Sequence, residues 1–271
     1  MTRPFLGQTA IVTGAGRGFG RAIAKRFAAE GAAVTVTART RAQLDGVVAE
    51  ITAAGGRALA IAGDVTAPRD VARVVQATEQ QLGPVTLLVS NAGVPGPFGP
   101  IWSVDPEAWW SAQEIHIRAP FLLLQQVMPR MVERRAGRII VVSAFASRVV
   151  AAHLSAYCVG KTAQTRIVAQ AAAEAREYGV SVFAIDPGFV FTTLAAETMN
   201  SPDAQRWLPG MVARLREKEV EAEPEKEAAF ARCAQRCVDL ASGAFDGLTG
   251  RFLEMPDDLN AMMASPSATT A

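Results

Sequence analysis

Six short runs of aliphatic and β-branched residues, at 9–13, 33–38, 58–62, 86–90, 138–142 and 180–185, alternate with longer stretches whose apolar residues recur at helical spacing. Strands that alternate with helices pair in parallel and are covered on both faces. Runs that are apolar throughout, rather than at every second residue, are what strands buried on both faces require. The expected fold is therefore α/β, a doubly wound parallel sheet with helices on both faces. A further run near 251–255 brings it to about seven strands.

The helical stretches carry start and stop signals. Phe19, Ile23 and Phe27 form one stripe that runs to Gly31, where a left-handed cap is expected. Thr40 and Gln43 have capping-box spacing ahead of Leu44. Asp105 and Pro106 open a helix expected to run to about residue 134, and an alanine-rich helix follows over 155–177. After Ile185, Asp186-Pro187-Gly188 breaks the chain, and residues 194–224 lack a clean period, which suits a lid or short helical insertion. A last helix is expected over 225–241. With neither repeat nor linker in 271 residues, one domain over 1–263 is favoured, ending in a frayed tail at 264–271.

Composition excludes several function classes. The 27 basic and 26 acidic side chains leave a formal charge of +1, whereas a nucleic-acid binder carries a basic stripe. No leader and no uncharged apolar stretch of membrane-spanning length is visible, so a cytoplasmic protein is expected. Cys158, Cys233 and Cys237 cannot all pair and have no metal-ligand spacing with His116 and His153, so neither disulfide framework nor metal is expected. Cys233 and Cys237 lie one helical turn apart and suit a buried helix face.

Directly after the first strand come Thr13, Gly14, Ala15, Gly16, Arg17, Gly18, Phe19 and Gly20, and then a helix. Glycines in this context let the backbone turn tightly and approach a pyrophosphate, which the unpaired N–H groups of the helix N-terminus attract.

Five motifs in order resemble those of the short-chain dehydrogenase/reductase family, whose members have a Rossmann-type fold. Gly14, Gly18 and Gly20 are spaced as in TGxxxGxG; Asp64-Val65 follows the third strand, and Asn91-Ala92-Gly93 the fourth. Tyr157 and Lys161 form YxxxK, and Pro187-Gly188-Phe189-Val190-Phe191-Thr192 resembles PGxVxT. The match is close from about residue 5 to 193 and looser beyond. The resemblance implies adenine contacts at Asp64 and Val65, and nicotinamide contacts at Pro187, Gly188, Val190 and Thr192.

An acid at the end of the second strand would bind a ribose 2′-hydroxyl, and an arginine a 2′-phosphate. The chain has Ala38-Arg39-Thr40 there, and Arg17 inside the turn. Two guanidinium groups near one phosphate point to NADP(H).

Tyr157 and Lys161, four apart on a helix, can face one cleft. By resemblance Tyr157 is the acid/base and Lys161 lowers its pKa and binds the nicotinamide ribose. Two family positions differ. The serine expected about thirteen residues before the tyrosine falls on Ala144. Ser143 can replace it only if the strand bulges; Ser147 is another candidate, and no serine at all is a third reading. The helix asparagine is replaced by His116, which either joins a proton relay, titrating near neutral pH, or is a hydrogen-bonded core residue.

Pro95, Phe98, Phe145, His153, Phe189, Met199, Trp207, Leu208 and Met211 would make an apolar, aromatic pocket for a medium-sized ketone, alcohol or imine. A homodimer or homotetramer is implied by the resemblance, with Phe121-Leu122-Leu123-Leu124 and the 168–175 face either pairing or forming core. Intact Tyr157, Lys161 and Asn91 favour an NADP-dependent oxidoreductase. Ala144 and His116 keep open a relative without redox turnover, either a cofactor-binding regulator or an isomerase or cyclase.

Overall fold

The computed structural model describes residues 3–265. Its sheet holds seven parallel strands in the order β3-β2-β1-β4-β5-β6-β7. They are β1 (Thr9–Thr13), β2 (Ala33–Ala38), β3 (Arg57–Ala62), β4 (Val85–Ser90), β5 (Gly137–Val142), β6 (Val180–Ile185) and the two-residue β7 (Phe252–Leu253). Each expected strand is present, with ends moved by two residues at most.

Alternate residues of each strand feed opposite cores. Ala10, Val12, Ile140, Val142, Phe183 and Ile185 pack with α1 (Gly18–Ala29), α2 (Arg41–Ala53) and α10 (Glu223–Ala241). Ile11, Ile139, Val141, Val182 and Ala184 pack on the other face with α3 (Pro68–Leu82), α5 (Ala119–Arg134) and α6 (Ser155–Ala175). Leu122, Leu123, Leu124 and the 168–175 face belong to this second core, which leaves Phe121 exposed beside them. Cys233 and Cys237 are fully buried against the first, and all three cysteines are free. A fully buried side chain such as Phe27 contributes about 2 kcal/mol by leaving water.

The helix signals are met in part. Gly31 is left-handed at φ 102°, and the Asp105 carboxylate accepts from the Ala108 N–H at 2.7 Å. Thr40 precedes α2 but its hydroxyl makes no cap bond, and the Gln43 side chain leans instead toward the glycine turn, where a Cβ on Gly16 would lie 2.9 Å from it. The long helix expected from Pro106 is divided into α4 (Pro106–Gln113), a π-helical turn (Glu114–Arg118) and α5. Pro120 has no N–H to give the carbonyl of His116, and the widened turn accommodates that break.

The aperiodic stretch after β6 forms three short helices, α7 (Thr193–Asn200), α8 (Pro202–Trp207) and α9 (Pro209–Glu219). Ala195, Met199, Ala204, Val212 and Leu215 gather with Phe98 and Leu154 into a small core of their own. Ala264, the first residue of the expected frayed tail, instead ends α11 (Leu259–Ala264), and positions 266–271 of that tail lie outside the described residues. No described helix is long and apolar enough to cross a membrane.

Candidate active site

Strand order reverses between β1 and β4, and a cleft of about 1360 Å³ opens there at the carboxyl ends of the strands. That exceeds the few hundred to 1000 Å³ common for one small ligand. The two strand ends are stapled together: the Thr13 hydroxyl accepts from the backbone N–H groups of Asn91 (2.9 Å) and Ala92 (3.2 Å), while the Asn91 amide donates to the Thr13 carbonyl at 2.9 Å.

Gly14 and Gly18 are left-handed, at φ 61° and 54°. Gly20 has another role: a Cβ there would lie 2.4 Å from the Gly14 carbonyl oxygen, so glycine allows the turn to fold onto its own helix. The first turn of α1 has no side-chain cap and no acid, so its N–H groups suit an anion. Gly14, Gly16, Arg17, Gly18, Phe19, Arg39, Thr40, Asp64, Val65, Asn91, Ala92 and Gly93 line the cleft, as do Pro187, Gly188, Val190 and Thr192. Gly20 is the one expected contact that stands behind it.

Two reciprocal bonds stitch β5 to α6. Lys161 Nζ donates to the Val142 carbonyl at 2.9 Å and to Gln164 Oε1 at 3.2 Å, and Ser143 Oγ donates to the Lys161 carbonyl at 3.0 Å. Ser143 lines the cleft, but its hydroxyl is already given to the Lys161 carbonyl. Its register continues that of Ile139 and Val141, toward α6, and β5 pairs with β6 without a bulge. Ala144, the next residue, turns into the cleft with a methyl group. The Ser147 hydroxyl is buried without a partner and is not among the cleft-lining groups.

Tyr157 is half-buried and lines the cleft. Burial pushes its phenol above the usual range, and the Asp186 carboxylate and the Cys158 thiol add to the rise. Lys161 is 4% exposed; burial pushes it down to about 7, against the pull of Asp186. The expected lowering of the Tyr157 pKa by Lys161 is thus not met, since Lys161 Nζ is turned to its two acceptors, 5.5 Å from the Tyr157 ring centroid. Asp186, unassigned by sequence reasoning, is raised by burial but held back by the N–H groups of Phe145 and Gly188 and by Lys161.

His116 is fully buried. Its Nε2 lies 2.9 Å from the Val94 carbonyl, and burial followed by the Lys161 charge lowers its pKa to about 3. A ring that stays neutral replaces the expected titration near neutral pH.

Phe145 and Phe189 line the cleft, together with Met211 and Leu215. His153 and Trp207 do not: they stack on each other with centroids 5.1 Å apart, joining α8 to the loop before α6. Glu197 and Arg214, on α7 and α9, also line the cleft. Nothing in the sequence assigned them, because the period there is broken.

The family model for short chain dehydrogenases matches residues 8–203, nearly three quarters of the chain. The chain belongs to the short-chain dehydrogenase/reductase family. It is 34% identical over 264 residues to a short chain dehydrogenase of Pseudocercospora fijiensis, covering 95% of this chain and 82% of that one. A metagenomic short-chain oxidoreductase solved in complex with NADP is 37% identical, with a TM-score of 0.66 over 69% of this chain and 85% of that one. Levodione reductase, at 23% identity and a TM-score of 0.80 over 92% and 96% of the two chains, shares the fold.

Proposed function

We propose that this protein is an NADP(H)-dependent oxidoreductase acting on a medium-sized, largely apolar ketone, alcohol or imine, with Tyr157 as acid/base. The observation that carries the reading is the convergence of Tyr157, Lys161 and the uncapped α1 N-terminus on one cleft.

The glycine turn and the α1 N-terminus hold the pyrophosphate, and Arg39 and Arg17 face the 2′-phosphate. Arg39 stands at the end of β2, where an acid would select the unphosphorylated ribose. The NADP complex of the metagenomic relative supports the same choice. Bound in the cleft, the nicotinamide supplies the hydride.

Tyr157 holds its proton at neutral pH because its buried phenol resists ionisation, and it gives that proton to the substrate oxygen or nitrogen. Lys161 in its charged form stabilises the phenolate that remains. Without a serine hydroxyl at 144, negative charge on oxygen loses one donor, worth about 3 kcal/mol in comparable sites. An imine nitrogen develops less such charge, so the loss favours imines over simple ketones.

Phe121 and Val159, 54% and 44% exposed on α5 and α6, support a homodimer or homotetramer in a reducing, cytoplasmic setting that keeps the three cysteines free. Sedimentation as a monomer at micromolar concentration would contradict that assembly. Steady-state kinetics test the cofactor: NADPH should be preferred to NADH in kcat/KM, and Arg39→Ala should cost about tenfold with NADPH only. Equal use of both cofactors by the parent protein contradicts the reading.

A further inference from the structure

Gly160, inside α6, has no left-handed φ, so its backbone does not call for glycine, and glycine weakens a helix interior. Its surroundings explain it. A Cβ at 160 would lie 2.6 Å from His116 Cβ, 2.9 Å from Cγ and 3.0 Å from Cδ2. Helix α6 and the π-helical turn therefore approach more closely than any larger residue at 160 allows.

That approach fixes the imidazole. Its Nε2 faces a carbonyl, which only accepts, so Nε2 carries the proton and Nδ1 is a bare acceptor, buried without a partner. On another side, the ring meets Tyr157 edge-on at 5.5 Å between centroids and an interplanar angle of 88°. Tyr157 lies one helical turn before Gly160, so anything that lifts α6 from the π-helical turn also moves the phenol.

We infer that Gly160 and His116 form one positioning unit for Tyr157: glycine lets α6 seat on the π-helical turn, and the imidazole seated there fixes where the phenol stands. This rests on Tyr157 as the acid/base. Neither residue touches substrate; both act through Tyr157.

The test compares the parent, Gly160→Ala, His116→Gly and the double variant in NADPH oxidation with a turned-over ketone or imine. Gly160→Ala should lower kcat about tenfold, the loss that misplacing one catalytic group by a fraction of an ångström produces, with KM for NADPH little changed. In the His116→Gly background the same alanine should cost nothing more, because the atoms it would meet are gone. An unchanged kcat in Gly160→Ala, or independent losses that multiply in the double variant, overturns the unit. A second readout needs no turnover. The chain has two histidines, so nitrogen NMR of ¹⁵N-histidine protein resolves the rings. A neutral His116 ring protonated at Nε2, displaced in Gly160→Ala, supports the unit; a signal unmoved by that substitution overturns it. Should no carbonyl or imine be reduced even by the parent, the functional reading fails and the NMR comparison still decides the pairing.

Discussion

The guanidinium of Arg17 stands 3.1 Å from the carboxylate of Glu197, joining the glycine turn to the first lid helix by an ion pair whose two side chains are half-exposed. An exposed pair contributes at most about 1 kcal/mol, so a phosphate can displace it. To face the proposed 2′-phosphate Arg17 would have to leave Glu197, whose charge would repel that phosphate.

Glu197→Gln is therefore expected to lower KM for NADPH by about two- to fivefold, the equivalent of such a pair, and to leave KM for NADH nearly unchanged. Equal effects on both cofactors would place Arg17 away from the 2′-phosphate.

Acid stability tests the buried state of His116. Its folded pKa of about 3 lies below the ordinary 6.5, so between these values the unfolded chain binds the extra proton and stability falls as pH falls. The stabilisation is complete above pH 6.5 and lost toward pH 3, at about 1.4 kcal/mol per pH unit. Urea unfolding of the parent and of His116→Asn should show the parent losing more stability between pH 6.5 and 4.5. Parallel curves would mean that His116 takes up its proton without unfolding.

Much of this architecture was legible in the sequence because strands buried on both faces leave continuous apolar runs, and because the glycine turn sits between a strand and a helix. The cofactor side was legible for the same local reason: its residues follow strand ends within one motif each. The catalytic side was less so. Whether the Ser143 hydroxyl is free depends on strand parity and on the α6 carbonyl it meets. The pKa values of Tyr157, Lys161 and His116 depend on burial by elements distant in sequence. His153 and Trp207 meet each other outside the cleft lining, with His153 left-handed at φ 67°, a pairing of loop and α8 that local sequence does not encode. Gly160 meets the π-helical turn, Asp186 the N–H of Phe145, and Glu197 the glycine turn, contacts between distant elements that no local pattern encodes.

Ala144 tests the missing donor. Both Ala144 and Ser143 line the cleft, but the Ser143 hydroxyl is given to the Lys161 carbonyl, so Ala144→Ser should place a free hydroxyl beside the substrate oxygen and raise kcat for ketones about tenfold, a part of the roughly hundredfold such donors supply. The gain should be smaller for imines. No change for either class would mean that another group already serves the oxygen.

The most direct test of the central claim is NADPH consumption at 340 nm by the parent and by Tyr157→Phe, against a panel of ketones and imines, with NADPH binding followed by fluorescence. The expected result is turnover by the parent of at least one compound, a loss of about a thousandfold or more in Tyr157→Phe, within the range assigned to a positioned acid, and unchanged NADPH affinity. Retained turnover in Tyr157→Phe would contradict the assignment of the proton donor, and NADPH binding without turnover by the parent would favour a cofactor-binding protein that has lost redox activity.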